Sequence, residues 1–188
     1  MISVILLAAG ESRRMGKLKQ LLPYGKATIM EQAIENLAGS RAGDIIVVLG
    51  YRADDIRQHI KHKQIRIVIN QHYLQGMSSS IKAGLKAVAN DVEYLMLALA
   101  DQPCIGAETI NQLIDKAQNS DKGIFVPVYR GRRGHPVLFS IRYKDEMMGL
   151  VGDVGGKQLL KNHAEDVAEI KVDCPGVLQD IDTMYDYL

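Results

Sequence analysis

Little in this sequence announces a partner. The 188 residues carry a net charge of +1 at pH 7. No global field therefore recruits nucleic acid or a charged membrane surface, and electrostatic recognition has to be local. Only two cysteines occur, Cys104 and Cys174. Such a distant pair makes neither a disulfide framework nor a zinc motif, and it reads as free thiols in a reducing cytoplasm. No apolar run approaches the length of a membrane span. The N-terminal MISVILLAAG lacks the basic segment of a signal peptide and reads as a buried first strand. No Ser/His/Asp or Cys/His arrangement stands out, which argues against a nucleophile supplied by the protein.

What is present fits an ordinary globular chain, with 47% apolar and 24% charged residues, expected to form one domain over 1–188. Short apolar runs alternate with helical patterns. Strands are predicted at 3–8, 44–50, 65–70, 94–100, 123–128, 135–140 and 167–172. The runs at 3–8, 44–50 and 94–100 are apolar on nearly every residue, as in parallel strands covered on both faces. Helices are predicted in TIMEQAIENL, where Thr28 and Glu31 form a capping-box signature and Gly39 suits the stop. Others are predicted in SSSIKAGLKAVA with a serine cap, in AETINQLIDKAQ and in GKQLLKNH. The segment VPVYRGRRGHPVLF reads as a hairpin that brings in an antiparallel strand. The expected fold is α/β: a three-layer α/β/α domain with a mostly parallel, mixed sheet.

Ligands of open α/β sheets bind beyond the C-terminal ends of the strands. The loop after the first strand, AGESRRMGKLK, combines glycines with Arg13, Arg14, Lys17 and Lys19. Glycines let backbone N–H groups approach a ligand, and the cations suit phosphate. The loop is neither a Walker A motif nor a dinucleotide fingerprint. On residues alone, a solvated basic loop and a phosphate site both remain open. Asp101 directly follows an apolar strand, where a carboxylate needs a partner: a metal, an ion pair or a helix start. The late DID segment supplies Asp180 and Asp182, which the cap of a last helix would also explain. Hard oxygen ligands from two loops beside a cationic loop suit a Mg²⁺–triphosphate site. His59, His62 and His163 read as helix-end residues, while His72 and His135 lie in candidate site loops.

These residues resemble a known family. LLAAGESRRMGKLKQLLPYG is similar to the L-A-[AG]-G-x-x-x-R-M-G-x-x-K signature of MobA-like nucleotidyltransferases, and is most similar to their molybdenum cofactor cytidylyltransferase branch. GMSSSIKAGL, LALADQP, RGRRGHPVLF, GDVGGKQLL and DIDT continue the likeness in family order. The resemblance implies a Rossmann-like nucleotide-diphospho-sugar transferase fold. It implies that Leu7, Ala8, Ala9 and Gly10 lie against the nucleotide, with Arg14 and Lys19 on the triphosphate and Ser80 by the base. Asp101 would hold Mg²⁺, with Asp182 the second acidic position at the metal and Arg14, Lys19 and Asp101 the catalytic set. His135 and Asp153 would line the acceptor pocket. LAAG rather than LAGG points to CTP over GTP. The implied acceptor is molybdenum cofactor, with a molybdenum hydroxylase as eventual recipient. Where the branch often has GA[RK], this chain has Gly155, Gly156 and Lys157, a second glycine expected to loosen the loop. A sugar or polyol phosphate acceptor, and a non-catalytic cofactor-binding maturation factor, are the other readings.

Overall fold

The computed structural model describes residues 1–62 and 64–187. Its strands are β1 (Ile2–Ala8), β2 (Pro23–Tyr24), β3 (Ala27–Thr28), β4 (Asp44–Leu49), β5 (Ile65–Ile69), β6 (Tyr94–Leu99), β7 (Ile124–Tyr129), β8 (Arg132–Arg133), β9 (Val137–Ser140) and β10 (Val167–Lys171). Its α-helices are α1 (Ile29–Ala38), α2 (Ala53–Arg57), α3 (Met77–Ala87), α4 (Ala107–Gln118), α5 (Lys144–Gly149), α6 (Lys157–Asn162) and α7 (Met184–Tyr187). The main sheet runs β10-β7-β9-β6-β1-β4-β5, with β8 paired to β7. β1, β4, β5 and β6 are parallel, and β10 is parallel to β7. β9 runs against both β6 and β7, so the hairpin segment does supply the antiparallel strand. Among the described residues no helix is long and apolar enough to cross a membrane.

Side chains alternate across each strand, and both faces are covered. Val4 and Leu6 of β1 pack with Met30 and Ile34 of α1 and with Leu113 of α4. Ile5 of the same strand packs on the opposite face with Ile81 and Leu85 of α3 and Leu159 of α6. This double burial explains why the central runs are apolar at nearly every position. The α1 start is built as its sequence reads. Thr28 Oγ1 accepts from the Glu31 N–H at 3.2 Å, and the Glu31 carboxylate accepts from the Thr28 N–H at 3.3 Å.

α3 departs from expectation. Its N-cap is Gly76, with φ +93°, and no serine caps it. The cap comes instead from across the fold: Asp153 Oδ1 accepts from the Met77 N–H at 3.2 Å. Ser79 lies inside the helix and donates back to the Gly76 carbonyl at 2.8 Å. A serine cap and a serine in the first turn leave the same local signature, and only the tertiary partner separates them.

Gly84 sets how closely α3 approaches β1. A Cβ there would lie 2.5 Å from Ile5 Cγ2. Alanine is the better helix former by about 1 kcal/mol, but overpacking a filled core costs about 1–3 kcal/mol. Ile5 is fully buried and has nowhere to retreat. Gly84→Ala is expected to lower stability by roughly 1–2 kcal/mol in urea unfolding at unchanged slope. A stabilised variant would show that helix propensity outweighs the contact.

Candidate active site

A cavity of about 360 Å³ opens at the C-terminal ends of β1 and β6. Its lining brings together Leu7, Ala8, Ala9, Gly10, Lys19, Ser80, Asp101, Asp153 and Asp182. Strand ends, the first turn of α3 and the segment before α7 thus converge from positions up to 175 residues apart, at the place where parallel sheets expose backbone and loops.

Lys19 is the centre of the polar network. Its ammonium donates to Asp101 Oδ2 at 2.6 Å and to Asp182 Oδ1 at 2.7 Å. Arg14 Nη2 donates to the other Asp182 oxygen at 2.8 Å. The Lys19 and Asp101 side chains keep only 14% and 20% of their accessible surface. Burial by itself would lower the Lys19 pKa, but the adjacent Asp101 and Asp182 carboxylates outweigh it, and the net shift is upward. Lysine is therefore firmly cationic here. Burial pushes the Asp101 pKa up, and Lys19 pulls it back without cancelling the rise. Burial also pushes the more open Asp182 upward, but its contacts with Lys19 and Arg14 bring it below the ordinary carboxylate value.

Asp101 Oδ1 is sealed from solvent and accepts no hydrogen bond among the described residues. An orphaned buried carboxylate oxygen is costly unless a cation or donor completes it. Among the described residues, no three His, Cys, Asp or Glu side chains are arranged to hold a metal. Two carboxylates and a short supply of protein ligands fit Mg²⁺ or a similar cation that completes its shell with water and substrate phosphates.

Arg14 does not line the cavity. It stands at the rim, 70% exposed, and reaches inward only to Asp182. Arg13 pairs with Glu11 at 2.6 Å and faces solvent. Ser80 is buried on α3, where its hydroxyl accepts from Asn70 Nδ2 at 3.0 Å. His135 lies outside this cavity, in a neighbouring one of about 390 Å³. Burial lowers the His135 pKa, so the ring is neutral at neutral pH. Asp153 lines both cavities while capping α3. His72 lies in a separate open groove beside β5 and α3. Gly156 is not a loosening residue: a Cβ there would press to 2.9 Å from the Phe139 ring, so packing demands the glycine.

Sequence reasoning missed Gln20, Tyr73 and Met77 in the first cavity, and did not place Asp180 in both cavities. Gln20 is buried, and its amide donates to the Ala8 and Gly10 carbonyls at 3.3 and 3.1 Å. It holds the glycine turn in shape. A polar residue within the basic loop was the only signal of this. Gln20→Leu frees both carbonyls, a loss of about 1–1.5 kcal/mol. The expected result is a roughly tenfold higher nucleotide KM with a smaller change in kcat. An unchanged KM in steady-state assays would show that the turn holds its shape unaided.

A cavity lined by Lys19 and carboxylates beside a second cavity, at the strand ends of a mostly parallel sheet, suits an enzyme of the nucleotidyltransferase class. The MobA-like NTP transferase domain matches residues 4–167, and the chain belongs to that family. It is 33% identical to the molybdenum cofactor cytidylyltransferase of Escherichia coli K12 over 74% of this chain and 70% of that protein. It is 29% identical to the nicotine blue oxidoreductase of Paenarthrobacter nicotinovorans, over 97% of this chain and 93% of that one. Among solved structures, Rv0371c from Mycobacterium tuberculosis H37Rv in complex with manganese superposes with a TM-score of 0.85 at 29% identity, covering 99% and 95% of the two chains. The enzyme class is nucleotidyl transfer from a nucleoside triphosphate.

Proposed function

We propose that this protein transfers CMP from CTP to the phosphate of molybdenum cofactor, with release of pyrophosphate, in the maturation of molybdenum hydroxylases. The observation that carries the reading is the Lys19 clamp across Asp101 and Asp182, set against the Leu7–Gly10 turn. An acceptor phosphate oxygen attacks the α-phosphorus in line, the bond to the α,β-bridging oxygen breaks, and pyrophosphate leaves with the electron pair. A phosphomonoester has a second pKa near ~6 and is already mostly dianionic at neutral pH. No strong general base is therefore required. The obstacle is the meeting of two anions, and the Lys19 ammonium supplies positive charge where negative charge builds up on the phosphates. Arg14 adds charge at the rim. Mg²⁺ held by Asp101 and Asp182 would neutralise the triphosphate further. Leu7, Ala8, Ala9 and Gly10 would bind the nucleotide and Ser80 would lie by the base, with His135 and Asp153 on the acceptor side.

CTP is favoured over GTP by Ala9, whose methyl limits how closely a base approaches the turn. The 33% identity to a molybdenum cofactor cytidylyltransferase supports the acceptor.

The test is pyrophosphate release with each of four nucleoside triphosphates and Mg²⁺, with molybdenum cofactor, with a sugar phosphate, with a polyol phosphate, and with none. Release confined to CTP with molybdenum cofactor is expected. Release only with a sugar or polyol phosphate moves the acceptor. Binding without release from any pair makes the protein a carrier. A parallel arm with reduced nicotinamide cofactors and nicotine blue checks the activity named for the other relative.

A further inference from the structure

The Lys19 ammonium occupies the point where the Asp101 and Asp182 carboxylates converge, which is where a cation shared between them would sit. It lies 2.6 Å from one Asp101 oxygen and 2.7 Å from one Asp182 oxygen, so both carboxylates converge on a single positive centre. Those carboxylates come from the end of β6 and from the segment before α7, more than eighty positions apart in sequence, and Lys19 is the residue that ties them together. The second Asp182 oxygen is engaged by Arg14. A metal ion shared by the two carboxylates through the oxygens Lys19 holds would have to displace a buried ammonium from two charge-assisted hydrogen bonds and leave it unpaired, which is strongly unfavourable, and the partnerless Asp101 Oδ1 offers an ion entering by itself only one protein ligand. An incoming triphosphate changes the balance, because its oxygens offer Lys19 a new partner and offer the metal additional ligands.

We infer that Lys19 is an internal counter-ion that keeps divalent metal out of the Asp101–Asp182 pair until a triphosphate arrives. Metal and nucleotide then bind as one unit, with the ammonium passing from the carboxylates to the phosphates. This rests on the reading of Asp101 and Asp182 as metal ligands, and it extends that reading to the order of binding. It also makes an unusual demand: removing a lysine that the reaction needs should improve metal binding by the free protein.

The experiment follows Mn²⁺ as the probe, by its electron paramagnetic resonance signal and by thermal shift, with the full chain and no acceptor. Without nucleotide, wild type is expected to bind Mn²⁺ at least tenfold more weakly than Lys19→Met, and to show little shift in melting midpoint. Lys19→Met is expected to gain a clear upward shift with Mn²⁺ alone. Adding CTP should bring wild type to tight Mn²⁺ binding. Lys19→Gln, which keeps a donor but no charge, should behave as Lys19→Met does and covers the case in which that variant folds poorly. The double variant Asp101→Asn/Lys19→Met should lose the gain, which locates the ion. Equal nucleotide-free affinity in wild type and both single variants overturns the inference, as does a gain that survives loss of Asp101. The transfer reading is judged separately by pyrophosphate release. A protein that releases pyrophosphate but binds Mn²⁺ equally well with and without Lys19 keeps the activity and loses the counter-ion.

Discussion

Asp101→Asn is expected to lose at least about a thousandfold in kcat/KM for nucleotidyl transfer while remaining folded. The amide keeps the shape of the carboxylate and removes its charge. Its partner is not stranded, because Lys19 keeps Asp182 at 2.7 Å. The change even relieves a burden, since burial already pushes the Asp101 carboxyl upward and its Oδ1 has no hydrogen-bond partner among the described residues. The melting midpoint should therefore stay within about 3 °C of wild type or rise. A pyrophosphate-release assay paired with thermal melting checks both halves. Near-wild-type turnover would remove Asp101 from the metal site. A collapsed midpoint with lost activity would make it a structural residue.

Lys19→Ala is expected to fail in a different way. Loss of a preorganised cation in a water-poor site costs about 10²–10³ in kcat. Two carboxylates then face each other without their shared partner, so stability falls too. The pH dependence separates this from general damage. Asp101 already has a folded-state pKa above its ordinary value, and the loss of Lys19 raises it further. A carboxyl raised on folding favours the native state at pH values below its unfolded pKa. That contribution disappears as pH climbs through the raised value. The variant's deficit in melting midpoint relative to wild type should thus widen as pH rises above the ordinary carboxylate range. A pH-independent deficit would point to lost packing of the lysine stem, and a mere twofold drop in rate would mark Lys19 as a spectator.

Much of this was legible along the chain because it depends on local periodicity. The doubly buried runs of β1, β4 and β6 read as parallel strands since nearly every residue is apolar, and the Thr28–Glu31 box marked the α1 start because its partners are three residues apart. The short helix α5 went unread because its six residues follow closely on the hairpin strand, and α2 was sensed only as the helix that ends near His59. The motifs also pointed to Gly10, Lys19, Asp101 and Asp182 as members of one site. A basic glycine turn and carboxylates at strand ends signal an anion and a cation whatever their partners are.

Other features had no local trace. The cap of α3 comes from Asp153, on a loop far along the chain. The second glycine of Gly155–Gly156 is required by the Phe139 ring, a neighbour only after folding. Placement of His135 in a cavity beside the Lys19 cavity, rather than within it, depends on how the hairpin lies against β6. Above all, the charges at this site are written into the chain, because residue type dictates charge. Their pairing arises on folding, which places one ammonium between two carboxylates. Coulomb energy depends on distances of a few ångströms and on burial, and the fold creates both.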